Sequence, residues 1–181
     1  MFIKRLDSIS QHLGTAVSLL IVVMTAMVMY EVWMRYLFVM PTKWAHDTSG
    51  WMQVVYIMLG GGYTLLHGGY VRVDIIYRRL SPRGQAFIDL TFATVCVVAF
   101  CVVMTLTGLD IGIDSFKMLE TSQTGLWGGP VWPFRLMVPV GGFLILMQWT
   151  AKFIRDIAIM RFGALPAEMQ PEMVEVAELR G

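Results

Sequence analysis

Charged residues are scarce in this sequence. Aspartate, glutamate, lysine and arginine together make up 15% of its 181 residues, whereas a soluble domain usually carries about 25%. Hydrophobic residues account for 56% of the chain, and they are gathered into long blocks instead of being spread evenly. The shortage of charge excludes an ordinary soluble domain, and the apolar blocks predict an integral membrane protein.

Cysteine and the usual catalytic groupings are also poorly represented. The two cysteines, Cys96 and Cys101, lie in one apolar block and would point to different faces of one helix. This placement excludes a disulfide between them or a shared metal site. The sequence shows no nucleophile–base arrangement and no phosphate-binding glycine loop. We therefore expect no enzymatic activity, no catalytic, cofactor-binding or metal-binding residues, and no nucleic-acid partner.

Four apolar blocks are long enough to cross a membrane as helices, because about 20 residues at ~1.5 Å each span a hydrocarbon core ~30 Å thick. The blocks lack the alternation that is typical of barrel strands. We predict an all-α, four-span membrane domain at residues 1–162 and an acidic, mobile cytoplasmic tail at residues 163–181. The predicted spans are approximately residues 13–34, 48–67, 86–109 and 133–151.

Lysine and arginine are distributed unevenly between the two sides of the predicted membrane domain. With both termini on one side, that side carries ten of the fourteen basic residues and the opposite side carries four. Cytoplasmic segments are enriched in lysine and arginine. We therefore expect both termini in the cytoplasm. The basic residues expected on the opposite side are Arg35, Lys43, Lys117 and Arg135.

A polar segment between the second and third spans has the pattern of a short amphipathic helix. Within residues 71–80, apolar side chains recur at three- and four-residue steps. Arg72 and Arg79 share another face, and Asp74 and Arg78 have the i, i+4 spacing of an ion pair. We predict that this helix lies flat in the cytoplasmic interface and contacts lipid headgroups.

Ionisable residues in or beside membrane spans are the default candidates for function, because the bilayer makes them costly. Glu31 and Arg35 lie four positions apart at the end of the first span, which allows an ion pair. Asp89 and Arg135 are shallow, and Gln53, an amide near a span centre, predicts a hydrogen bond between helices. No inverted repeat or midplane ionisable group is visible, which disfavours a secondary transporter acting alone.

Two other classes of membrane protein remain open from the residues themselves. A membrane anchor subunit of a redox enzyme would need haem or quinone ligands at matched depth, and His12 and His67 could pair only at span ends. A small four-span exporter would need an embedded acid in its first span. Glu31 lies at the end of that span and not in its middle.

Three stretches stand out by their order and spacing. The first contains Arg35 and continues to the segment from Trp44 to Asp47. The second is "GGGYTLLHGGYVRVDIIYRRLSP", and the third is "TSQTGLWGGPVWPFRLMVPVGG". Together they resemble the small membrane subunit, of the DctQ type, of tripartite ATP-independent periplasmic (TRAP) transporters over about residues 10–155. Tyr70 stands where members of that family commonly have a histidine.

The resemblance implies a role within a complex. The small subunit of this family is a non-catalytic scaffold that stabilises a large, elevator-type permease subunit (DctM type), while a periplasmic binding protein delivers an organic acid. Sodium is expected to bind the large subunit and not this chain, and the implied location is a bacterial or archaeal inner membrane. The residues expected to support structure or subunit contacts are Glu31, Arg35, Trp44, Asp47, Arg72, Asp74, Arg78, Arg79 and Arg135.

Overall fold

The computed structural model describes residues 2–69, 80–123 and 127–163. The regular secondary structure in this part of the chain is helical apart from one isolated bridge between Thr121 and Pro130, which confirms the predicted all-α class. Most of the predicted interfacial helix at 71–80 and of the predicted tail at 163–181 lies outside these residues. The helices are α1 (Phe2–Tyr36), α2 (Ala45–Leu66), α3 (Pro82–Ile88), a π-helical segment (Asp89–Ala93), α4 (Thr94–Lys117), α5 (Trp132–Arg135) and α6 (Met137–Phe162).

The helix ends follow local sequence signals. Ser81 caps α3, because its hydroxyl accepts a hydrogen bond from the Gly84 amide at 3.3 Å, and Pro82 occupies the first turn. α3, the π-helical segment and α4 then follow one another without a break. α6 ends at Phe162, and the φ of 78° at the following Gly163 lies in the left-handed region that favours glycine.

Three helical stretches in the described part of the chain are long and apolar enough to cross a membrane. They are Ile3–Tyr36, Arg83–Lys117 and Trp132–Phe162. α2 has 22 residues, so at ~1.5 Å per residue it is also long enough for a ~30 Å hydrocarbon core. Its apolar character is interrupted by Gln53 and by the glycines at 60–62. The described residues therefore contain three candidate spans, judged by length and composition, and a fourth long helix.

α6 is the central helix of the bundle. α2 and α4 pack on it, and α1 packs chiefly on α2. The adjacent glycines Gly141 and Gly142 allow the close approach of both neighbours. A Cβ atom at Gly141 would lie 2.7 Å from Met58 Cβ of α2, and one at Gly142 would lie 2.5 Å from Thr105 Oγ1 of α4. Small residues at such positions let helix backbones approach closely in a membrane.

The run of three glycines in α2 lies where that helix fits between its neighbours. A Cβ atom at Gly61 would lie 2.9 Å from the Ile145 side chain of α6, and one at Gly62 would lie 3.1 Å from Ser10 Oγ of α1. α2 remains helical through these glycines. The glycines therefore serve close packing, as small residues do at helix contacts in membranes.

The outer surface of the bundle is apolar. A soluble protein would bury most large aliphatic and aromatic side chains, whereas a membrane protein can present them to lipid. An apolar groove of about 900 Å³ lies between α1 and α2 on one side and α4 on the other. Large apolar side chains that are strongly exposed on α1, the π-helical segment and α4 include Leu19, Val22, Phe92, Val95, Phe100 and Val103.

Candidate functional site

Buried polar side chains gather where α1 begins and α6 ends. The spacing along α6 explains part of this grouping, because Gln148, Lys152 and Arg155 recur at i, i+4 and i+7 and so share one helical face. That face meets the first turns of α1 and the π-helical segment. We call this group the α6 cluster, and its members are Asp7, Ser10, Asp89, Gln148, Lys152, Arg155 and Asp156.

One half of the α6 cluster joins α1 to α6. The Ser10 hydroxyl donates a hydrogen bond to Gln148 Oε1 at 2.9 Å, and Gln148 Nε2 donates to Asp7 Oδ1 at 2.9 Å. The Arg155 guanidinium pairs with the second oxygen of the same carboxylate, Asp7 Oδ2. Asp7 and Gln148 are almost completely buried. The two helices are therefore connected by a continuous series of polar contacts.

The other half joins α6 to the π-helical segment. Lys152 Nζ lies 2.6 Å from Asp89 Oδ2 and also pairs with Asp156, one turn further along α6. The Trp149 indole donates a hydrogen bond to Thr94 Oγ1 at 3.2 Å, and the Thr94 hydroxyl donates to the Asp89 carbonyl oxygen at 2.9 Å. The Lys152 ammonium is 5.1 Å from the Trp149 ring centroid, a cation–π distance.

The paired charges of the α6 cluster hold helices together. Each of its carboxylates has a cationic partner within the described residues. A buried ion pair balances a large desolvation cost against Coulombic attraction, so its net contribution is small, but removing one partner costs about 3–5 kcal/mol. The cluster therefore resists any change that would separate the start of α1, the π-helical segment and the end of α6.

A second group, the Glu31 cluster, lies at the opposite end of α1 and consists of Glu31, Arg35 and Thr42. The predicted i, i+4 spacing does form an ion pair, with Arg35 Nη2 2.7 Å from Glu31 Oε1. The other carboxylate oxygen accepts hydrogen bonds from the Thr42 amide at 3.0 Å and from the Thr42 hydroxyl. Glu31 therefore attaches the chain that follows α1 back onto the end of that helix.

Arg135 also has a defined partner. Its two terminal nitrogens pair with the two carboxylate oxygens of Glu120, each at 2.6 Å. This two-point geometry joins α5 to the segment that follows α4. Beside it, the ring of Phe134 stacks on Trp51 of α2 with a centroid separation of 4.6 Å. The end of the bundle that holds Arg135 is thus closed by one ion pair and aromatic contacts.

The remaining predicted residues divide between described and undescribed parts of the chain. Trp44 is exposed and directly precedes α2, and Asp47 is buried in the first turn of that helix, where the helix dipole favours a carboxylate. His46 and Ser49 line a cavity of about 270 Å³ together with Glu31. The predicted residues that lie outside the described ranges are Arg72, Asp74, Arg78 and Arg79.

Most of the α6 cluster was not predicted from the sequence. The sequence predicted an interhelical hydrogen bond for Gln53, and this side chain is exposed and forms no hydrogen bond with the described residues. Gln148 makes that kind of contact instead, with two residues of α1. The i, i+4, i+7 spacing of Gln148, Lys152 and Arg155 was the available signal, and it predicts a polar face at the end of the fourth span.

The histidines considered for redox chemistry contact backbone oxygens of their own helices, whereas the cysteines form no disulfide. Both Cys96 and Cys101 are free thiols. His12 Nδ1 lies 2.7 Å from the Ser8 carbonyl oxygen and His67 Nδ1 lies 3.1 Å from the Tyr63 carbonyl oxygen, each within its own helix turn. Among the residues that the structure describes, no three histidine, cysteine or acidic side chains are grouped to hold a metal ion.

An apolar helical bundle with stretches of spanning length and buried polar groups at its ends defines a multi-pass integral membrane protein. The family model described as "Tripartite ATP-independent periplasmic transporters, DctQ component" matches residues 24–159, which is well over half of the chain. The chain therefore belongs to the DctQ family of TRAP transporter small membrane subunits, which confirms the resemblance and indicates an inner-membrane location. Neither a curated protein nor a solved structure gave a significant match.

Proposed function

We propose that this chain is the small, non-catalytic scaffold subunit of a sodium-coupled, binding-protein-dependent TRAP transporter that imports an organic acid. In this proposal it stabilises the large, elevator-type subunit in the membrane. Membership of the DctQ family supports the assignment to a TRAP transporter, and it does not favour a redox anchor or a small exporter. The α6 cluster is the observation that carries the scaffold role.

The α6 cluster supports the scaffold role because it opposes the separation of the helices that it joins. An elevator-type transporter moves one domain against a fixed one, so the fixed part must not shear or tilt during transport. Two buried ion-pair groups connect α6 to α1 and to the π-helical segment. Breaking either one costs about 3–5 kcal/mol. Together with the close glycine contacts along α6, they favour a single rigid arrangement of the helices.

The proposed topology has four spans with both termini in the cytoplasm. α2 is the fourth spanning helix, supported by its length of 22 residues and by its position between α1 and α6. The uneven distribution of lysine and arginine supports the orientation. With this orientation the α6 cluster lies near the cytoplasm. Glu31, Arg135 and the aromatic contacts of Trp51 lie near the periplasm.

In this proposal, the partner proteins bind the substrate and the sodium ions. The large permease subunit, of the DctM type, holds the organic acid and the sodium ions, and a periplasmic binding protein supplies the substrate. The segment with Arg72, Asp74, Arg78 and Arg79 anchors the cytoplasmic side, either on lipid headgroups or on the large subunit. Glu31, Arg35, Trp44, Asp47 and Arg135 hold the periplasmic side in shape.

Co-purification of the two subunits and uptake by the reconstituted complex test the proposal. The chain, carrying an affinity tag, is co-expressed with the large-subunit gene beside it and purified in mild detergent. We expect both subunits to be recovered together. Reconstituted with the binding protein, the complex should show sodium-dependent uptake of an organic acid, and the large subunit alone should show little or none.

Two results would overturn the proposal. One is failure to recover the large subunit with the tagged chain, although both are produced. The other is full uptake by the large subunit and binding protein in the absence of this chain.

A further inference from the structure

Asp110 is a carboxylate on the outward face of a membrane helix. Its neighbours Gly108 and Gly112 are buried against Pro139 and Leu136, so they mark the side of α4 that faces the bundle. Two residues along an α-helix correspond to a rotation of about 200°, which directs Asp110 away from the bundle. Asp110 is exposed and forms no hydrogen bond or ion pair with the described residues.

The depth of Asp110 is given by aromatic residues at the same end of the bundle. Trp132 contacts Phe116 of α4 edge-on, with ring centroids 5.0 Å apart, and Trp51 and Trp127 lie 5.5 Å apart. Tryptophans of this kind mark the headgroup level. Asp110 precedes Phe116 by almost two turns, or about 9 Å along the axis, so it lies at the edge of the hydrocarbon layer. Its side chain is shorter than those of lysine and arginine, which reach water from within the membrane.

The surface around Asp110 is suited to contact with another helix. Ala99 and Val103 lie in line with Asp110 along α4, and Leu106 and Thr107 flank them. All four are exposed. Ala99 and Thr107 are small, and small residues on a membrane helix let a second helix approach closely. We call these five residues the Asp110 face.

The charge of Asp110 decides what can cover this face. A second copy of this chain, related by a two-fold axis through the face, would place two Asp110 carboxylates together, and like charges repel strongly where the dielectric is low. Lipid phosphates carry the same negative sign. A lysine or arginine on a membrane helix has the complementary charge and supplies the hydrogen-bond donors that the carboxylate needs.

We propose that the Asp110 face is the surface on which a transmembrane helix of the large subunit docks, with a lysine or arginine of that helix paired to Asp110. This proposal rests on the function proposed above, because that function supplies the large subunit. It assigns the intersubunit contact to the side of α4 that turns away from α6. The connecting charge pair would fix the relative depth of the two subunits.

The proposal is tested in the complete complex by removing only the charge. Tagged Asp110→Asn, Asp110→Glu and wild-type chains are each co-expressed with the large subunit and purified under the same detergent conditions. Removing one member of a buried charge pair should weaken recovery of the large subunit by at least about tenfold. Asp110→Glu should retain most of the recovery. Asp114→Asn removes a carboxylate one turn away on the same helix whose charge is already paired with Lys117, so it should reduce recovery less than Asp110→Asn.

The thermal unfolding of the isolated small subunit separates assembly from folding. Because Asp110 has no partner among the described residues of its own chain, Asp110→Asn should leave this unfolding unchanged. A photoreactive amino acid at Val103 should crosslink to the large subunit. The same group at Phe143, which is exposed on α6, should not.

The outcomes distinguish this inference from the function on which it rests. If the wild-type chain does not recover the large subunit, the proposed function fails. If the wild type and Asp110→Asn recover it equally, only the assignment of the Asp110 face fails. Crosslinks from Val103 to lipid or to a second copy of the chain, without crosslinks to the large subunit, would also overturn the assignment.

Discussion

Replacing Asp7 by asparagine tests whether the α6 cluster holds the bundle together. The substitution preserves the size of the side chain and leaves an oxygen that can accept the Gln148 hydrogen bond, but it removes the charge that faces Arg155. The Asp7 and Arg155 side chains are 3% and 10% exposed, so water cannot replace the lost partner. We expect the free energy of unfolding to fall by about 3–5 kcal/mol.

The same chemical change at the surface provides the control. Asp114 and Lys117 are 64% and 68% exposed, and a pair of this kind contributes about 0–1 kcal/mol. Both variants are purified as isolated chains in one detergent, and unfolding is followed by tryptophan fluorescence and by helical circular dichroism. If Asp7→Asn and Asp114→Asn have equal stability within about 0.5 kcal/mol, the reasoning from burial is refuted.

Three further predictions address packing, the Glu31 cluster and the cytoplasmic segment. Gly141→Ala should destabilise the chain by about 1–3 kcal/mol, because its Cβ would lie 2.7 Å from Met58, whereas Gly50→Ala, with no atom within 4 Å, should be neutral or stabilising in the same unfolding assay. Glu31→Gln should speed proteolysis between residues 37 and 44, since the hydrogen bonds from Thr42 lose their charged acceptor, but should leave uptake unchanged; a loss of uptake would indicate a role in transport. Alanine at Arg72 and Asp74 should reduce co-purification of the large subunit more than apparent substrate affinity, and a change in affinity alone would contradict the anchoring role.

Local and long-range features differed in how well the sequence predicted them. The all-α class followed from long apolar blocks, and the Glu31–Arg35 pair followed from i, i+4 spacing, because both depend on neighbours along one helix. The pairing of Asp7 with Arg155 depends on two helices at opposite ends of the chain. Spacing within one segment carries no information about such a partner.

The family assignment was within reach of the sequence for a different reason. The ordered stretches around Arg35, the glycines ahead of residue 70 and the glycine pair at Gly141 and Gly142 resemble the family as a pattern. Gln53 shows the limit of reasoning from single residues. An amide near the middle of an apolar segment can face inward or outward, and only the packing of α2 between α1 and α6 decides which.

The π-helical segment sets the rotational phase of the helix that follows it. Asp89 faces Lys152 of α6, and nineteen residues later Gly108 also faces α6. In an unbroken α-helix those two positions would be about 100° apart around the axis. The wider π turn takes up one additional residue, which is worth about 100° of rotation, and so returns the two positions to the same side. One residue in the stretch Asp89–Ala93 therefore lets a single helix present its charged end and its glycine-lined end to the same neighbour.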